Sequence, residues 1–229
     1  MIYRLENVSK IYNQNNVALD NVDLEIEAGQ IMVVLGPSGS GKSTLLNILS
    51  GLDYPSRGKV FYRDERVDQK NETEITEYRY HDLGFVFQSY NLMSTLTAKE
   101  NIELGKVVKD EMELKKIIKK LGLEEHQDKY PYQLSGGQMQ RVAIARSLIK
   151  NPKVIFCDEP TGALDEKIGK IILKELQKIN REKGTTIIIV THNPSIGKMA
   201  NVVVKMNSGK IVEQFENKNP VSADELRWV

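Results

Sequence analysis

At 229 residues the chain is long enough for one large α/β domain with a core of real size. Its 32 basic and 31 acidic residues nearly cancel, so no global field draws it to nucleic acid or to anionic lipid. One cysteine, Cys157, leaves no internal disulfide and suits a reducing compartment, and no apolar run reaches the length of a signal-peptide core or a bilayer span.

Alternation at Ile2, Leu5 and Val8, then at Leu19, Val22, Leu24 and Ile26, predicts two half-buried strands joined by a turn at 13–16. Tyr12 closes the first strand, either as an ordinary strand-end aromatic or as a platform on which adenine stacks. The apolar run 31–35 predicts a buried strand. It leads into Gly36-Pro37-Ser38-Gly39-Ser40-Gly41-Lys42-Ser43, which fits G-x-x-x-x-G-K-[ST] and opens a helix that stops at Gly51. Glycines let successive N–H groups point at one spot, and the helix N-terminus adds partial positive charge there. That spot suits a phosphate chain, with Lys42 for the β and γ phosphates, the Ser43 hydroxyl for Mg²⁺, and Thr44 next on the same turn.

Further along, 59–63 predicts a short strand and 71–81 a charged helix feeding a strand over 83–88. Gln88 then stands at a strand's carboxyl end, where ligands collect in open α/β sheets. It is either solvated or within reach of Mg²⁺ or a water beside the γ-phosphate. Residues 97–121 carry no strand signal, and the stripe Leu114, Ile117, Ile118 and Leu121 predicts an inserted helical segment. Leu134-Ser135-Gly136-Gly137-Gln138 precedes an amphipathic helix over 139–149. Ser135 is a normal helix cap, but two glycines weaken a first turn and make sense where bare backbone approaches something closely. A second phosphate-binding helix N-terminus fits that pattern.

The strand 154–157 ends in Asp158 and Glu159. Beside a phosphate loop, Asp158 is placed to hold the metal through water, and Glu159 to polarise an attacking water as general base. Asp165 favours the start of a further helix. The strand 185–190 ends at Thr191 and His192, the histidine being either a structural hydrogen-bonder or a catalytic group at another strand's carboxyl end. Strands at 202–206 and 210–213 close the fold; no role is read for the tail from 217.

This ordered set resembles the ATP-binding subunit of ABC transporters over nearly the whole chain: Tyr12, GPSGSGKS at 36–43, Gln88, LSGGQ at 134–138, VIFCDEP at 154–160, 162–165 and His192. The stretches FVFQSYNLMSTLTAKENIEL, LSGGQMQRVAIARSLIKNP and DEPTGALD are similar to the branch of macrolide-export, lipoprotein-release, cell-division and antimicrobial-peptide-resistance ATPases. The resemblance implies a single α/β domain over 1–229, a P-loop NTPase core with a mostly parallel sheet. An N-terminal antiparallel β subdomain and a helical subdomain at about 92–145 accompany it. It implies ATP and Mg²⁺ as ligands, with Glu159, His192 and Gln88 catalytic and Ser43, Gln88 and Asp158 at the metal. Two copies would face head to tail, Ser135, Gly136, Gly137 and Gln138 of one closing on the γ-phosphate held by the other. It further implies a separate permease at the cytoplasmic face of the membrane and export or extraction of peptides, lipids, lipoproteins or drugs, with no nucleic-acid partner. The alternative it carries is an ATP-gated clamp that regulates a membrane partner without moving a substrate. Asn193 departs from the Asp common after the histidine, and the helical segment between 101 and 134 is shorter than in many members of that branch.

Overall fold

The computed structural model describes residues 1–13, 16–105, 111–162 and 164–227. Strands β1 (Tyr3–Tyr12) and β2 (Asn16–Ile26) form the expected antiparallel pair, with Tyr3 opposite Ile26 and Tyr12 opposite Asn16; Gln14 and Asn15 of the turn lie outside the described residues. The chain continues through β3 (Ile31–Leu35), α1 (Lys42–Leu49), β4 (Arg57–Tyr62), β5 (Glu65–Arg66), α2 (Glu72–Asp82) and β6 (Leu83–Val86). Then come α3 (Ala98–Glu103), α4 (Glu111–Lys120), α5 (Gly136–Leu148), β7 (Val154–Asp158), α6 (Glu166–Lys183), β8 (Thr186–Thr191), β9 (Val202–Asn207) and β10 (Lys210–Glu216).

Two sheets result. One is antiparallel in the order β2-β1-β4-β5; the other runs β10-β9-β3-β8-β7-β6 and is parallel except for the β10 hairpin edge. The central strands are buried on both sides, and their period of two sorts side chains into two cores. Met32, Val34, Phe156, Ile188 and Val190 face α1 and the antiparallel sheet. Ile31, Val33, Leu35, Ile155, Cys157, Ile187 and Ile189 face the opposite core, which also takes in Ile102, Leu114, Ile117, Ile118, Val142 and Ile172 from α3 to α6. The helical segment is therefore packed onto the sheet through one continuous apolar core.

Several boundaries differ from expectation. The stretch 97–121 divides into α3 and α4, with 106–110 outside the described residues. Helix α5 begins at Gly136 rather than 139, because Ser135 and Gln138 form a reciprocal capping box that satisfies the first turn in spite of its glycines. Strand β6 ends at Val86, so Gln88 sits in the turn beyond it. The tail, silent in sequence, docks on α6: the Gln177 amide donates to Val221 O at 3.0 Å and accepts from Ala223 N at 2.9 Å, and Leu226 is fully buried.

Candidate functional site

Parallel strands deliver their carboxyl ends to one edge of the sheet. Leu35 is in register with Thr191, Asp158 with Val190 and Val86 with Cys157, so the loops after β3, β7, β8 and β6 open onto a common crevice. A cavity of about 580 Å³ lies there, lined by Tyr12, 38–44, Gln88, Asp158, Glu159, His192 and the start of β2 at 16–18. The loop, the carboxylate pair, the glutamine and the histidine, far apart in sequence, thus meet in one place.

The loop's shape follows from its glycines. Gly39 and Gly41 adopt φ of +77° and +100°, a region costly for other residues, and Gly41 sits at the N-cap of α1. A Cβ on Gly41 would lie 2.4 Å from Ala18 O, and one on Gly36 2.4 Å from Met206 O, so the loop is pressed between β2 and β9. Lys42 is buried and arches over the loop, its Nζ donating to the carbonyls of Gly36 and Pro37 at 2.8 Å each. The Ser40 hydroxyl is buried without a hydrogen-bond partner, an orphan polar group in a loop otherwise tightly bonded.

Ser43 Oγ stands 3.4 Å from Asp158 Oδ1. Burial pushes the Asp158 carboxyl above its ordinary value and the Glu159 charge adds to this, against the Ser43 hydroxyl and the Lys42 charge. Among the described residues no group of three or more His, Cys, Asp or Glu is arranged to hold a metal by itself. One hydroxyl and one carboxylate are instead the donor set of an ion that completes its shell with phosphate oxygens and water, as Mg²⁺ does. An orphan buried hydroxyl, a glycine cradle and this pair fit a Mg²⁺-bound phosphate chain.

Glu159 has φ of +47°, unusual for a residue before proline and the kind of strain that collects at functional sites. The turn folds its carboxylate back toward β8. Thr191 Oγ1 donates to Oε2 at 2.8 Å, His192 N to Oε1 at 3.0 Å, and His192 Nδ1 lies 2.8 Å from Oε1. An ionised carboxylate only accepts, so Nδ1 carries the proton. Three of about four lone-pair sites are thereby used, and one remains for a water. Asn193 caps the turn that follows by accepting from Ser195 N at 3.0 Å.

Ser135, Gly136, Gly137 and Gln138 do not line this cavity. The close approaches that their glycines permit lie within the chain: a Cβ on Gly137 would meet Ile168 Cγ2 at 2.7 Å, and one on Gly136 the Tyr90 hydroxyl at 2.9 Å. Gln138 bonds to Ser135 N at 2.8 Å and to His126 Nε2 at 3.0 Å. The loop before α6 is described except for Ala163, with Asp165 as the N-cap accepting from Ile168 N. Sequence reasoning missed Thr191, whose signal was its place beside His192 at a strand end, and 16–18, whose approach to the loop no local pattern announces.

Comparisons with known proteins bear on this geometry. A family model described as ABC transporter matches residues 19–162. The chain is 47% identical over 218 residues to the ABC transporter ATP-binding protein MJ1508 of Methanocaldococcus jannaschii, covering 91% of this chain and 96% of that one. It is 44% identical over 220 residues to the macrolide export ATP-binding/permease protein MacB of Campylobacter jejuni, covering 93% of this chain but 34% of that one, so it spans about a third of that relative. Among solved structures, the dimeric post-hydrolysis state of the M. jannaschii ATP-binding cassette MJ0796, bound to ADP and Pi, superposes with a TM-score of 0.88 at 36% identity, covering 95% of this chain and 100% of that one.

Proposed function

The chain belongs to the ABC transporter family, and from that premise we propose that it is the ATP-hydrolysing cassette of a transporter, working as a head-to-tail pair and driving a membrane permease in export or extraction. The observation that carries this reading is the meeting of Lys42, Ser43, Gln88, Asp158, Glu159 and His192 around one cavity. The dimeric MJ0796 cassette and the MacB relative support the pairing and the export direction. No helix among the described residues is long and apolar enough to cross a membrane.

In this reading the loop amides and Lys42 hold the phosphate chain while Tyr12 takes the base. Ser43 and Asp158, with Gln88 in the same cavity, would hold Mg²⁺, which would supply charge neutralisation to the phosphate chain. Glu159 orients the attacking water and takes its proton through its free lone pair, and its position is set by Thr191 and His192 at the end of β8. Ser135, Gly136, Gly137 and Gln138 serve the nucleotide of the second copy. The ATP-bound pair is then stable only while the triphosphate is intact, since its interface prefers that state. Hydrolysis removes the preference, and the pair opens.

The test is the Glu159→Gln protein with ATP and Mg²⁺. It should bind ATP, pair in light scattering and release phosphate at least a hundredfold more slowly than the parent, within the roughly 10²–10⁴-fold range of general base loss. A parental rate removes Glu159 from its role. Trapped in native membranes, the same protein should copurify with an integral-membrane protein, whereas ribosomes or chromatin in its place would sink the transporter reading.

A further inference from the structure

Tyr12 is not a free strand-end aromatic. Its hydroxyl donates to Asp53 Oδ2 at 2.5 Å, across 41 residues of sequence, while the ring lines the nucleotide cavity. Asp53 Oδ1 receives Lys10 Nζ at 2.5 Å and Tyr54 N at 2.7 Å, and Lys10 Nζ also donates to Tyr54 O at 2.7 Å. The Lys10 ammonium lies over the Tyr12 ring, 4.9 Å from its centroid. Asp53 itself hangs from the end of α1, its N–H bonded to Asn47 O at 3.1 Å. Helix α1 therefore carries the phosphate loop at its N-terminus and the anchor of the aromatic ring just past its C-terminus. A rigid helix sets the spacing between the two.

We propose that Asp53 and Lys10 are positioning residues for the nucleobase: they lock the Tyr12 ring in one orientation, with one face closed by the Lys10 ammonium and the other presented to a single planar base. The proposal rests on the nucleotide reading of the cavity given above. Three considerations carry it. The Lys10 and Asp53 side chains are 13% and 26% exposed, so the pair is partly desolvated and worth more than a surface ion pair. Burial alone would raise the Asp53 carboxyl, yet the bonds from Lys10, Tyr12 and the Tyr54 amide outweigh it and hold the group below its ordinary value, so it stays an acceptor for the phenol. The Lys10 ammonium is held against one face of the Tyr12 ring by the ring's quadrupole, which leaves the opposite face to stack on a planar base. Val17, 48% exposed, adds apolar surface to the cavity lining.

The role differs from a merely structural ion pair in what it moves. Binding of a nucleotide should depend on Asp53, while binding of its phosphates alone should not. The full chain is titrated calorimetrically with ADP and, separately, with inorganic pyrophosphate, both with Mg²⁺. We expect Asp53→Ala and Tyr12→Phe each to weaken ADP roughly threefold to tenfold, the scale of freeing one ordered side chain, and to leave pyrophosphate unchanged. The double variant should be no weaker than the weaker single one, because both break the same bond. Asp53→Asn, which keeps an acceptor for the phenol, should recover part of the loss. Tyr12→Phe leaves the ion pair intact and keeps the test open if Asp53→Ala does not fold. ADP affinity equal to the parent's in both variants, parallel loss of ADP and pyrophosphate, or additive losses in the double variant each overturn the proposal. A parent that binds ADP no tighter than pyrophosphate overturns the nucleotide reading, and the proposal with it.

Discussion

The carboxylate of Glu159 at the end of β7 and the imidazole of His192 just past β8 meet at 2.8 Å, and Thr191 holds the other carboxylate oxygen at the same distance. The end of β8 thus fixes, at both oxygens, the acid that its neighbour β7 carries. Thr191→Val removes the donor to Oε2 and the acceptor of Asn193 N at 3.2 Å, and keeps the side chain's shape. A hydrogen bond to a charged group is worth about 1.5–3 kcal/mol, so kcat should fall roughly ten- to a hundredfold with KM for ATP little changed. Steady-state phosphate release measures both; a fall in KM affinity alone would place Thr191 in binding instead.

Asp158 bears on metal and stability in opposite directions. In the proposed role of Asp158 as a holder of Mg²⁺, Asp158→Asn should raise the Mg²⁺ concentration for half-maximal hydrolysis by about 10–100-fold. Stability should move the other way. A carboxyl raised in the folded state favours folding below its unfolded value, about 3.9 for Asp, and that contribution is lost as pH rises through the folded value. At neutral pH the ionised, half-buried group therefore weakens the fold. Melted in a chelator, Asp158→Asn should be more stable than the parent at neutral pH, and the gap should close on acidification.

Gln177 is 8% exposed and supplies both partners of the tail's turn, at Val221 and Ala223. Gln177→Leu keeps the volume but orphans one half-buried carbonyl and one buried amide. The expected loss is about 2–4 kcal/mol, a fall in melting temperature of roughly 5–15 °C for a chain of this size. ATP turnover well below the melting transition should stay at the parental rate, since Gln177 does not line the cavity.

What was legible in the sequence was what repeats locally. The alternation of Ile31, Val33 and Leu35 against Met32 and Val34 announces a strand buried on both faces, and the loop 36–43 carries its own pattern. The edge at which Asp158, Gln88 and His192 gather could be read because parallel strands share a carboxyl side. Contacts across long separations could not. Asp53 reaches Tyr12 over 41 residues and Ala223 reaches Gln177 over 46, with nothing periodic to mark either pair. Helix α5 starts earlier than its sequence predicts for a physical reason: glycine propensity argues against a helix there, and the Ser135–Gln138 capping box overrides it.

Gly137 shows how a local reason and an intersubunit one can be separated. A Cβ there would lie 2.7 Å from Ile168 Cγ2, and that branched carbon cannot swing away as a side-chain tip would. Gly137→Ala gains helix propensity of about 1 kcal/mol but overpacks the α5–α6 contact at a cost of about 1–3 kcal/mol, so the net effect should be mildly destabilising. Ile168→Ala removes the clashing carbon, and in the double variant the stability deficit added by Gly137→Ala should vanish. If Gly137 also approaches the nucleotide of a second copy, ATP turnover will stay low in that double variant relative to Ile168→Ala alone. Recovery of turnover together with stability would make the glycine a packing residue of α5 and α6 and nothing more.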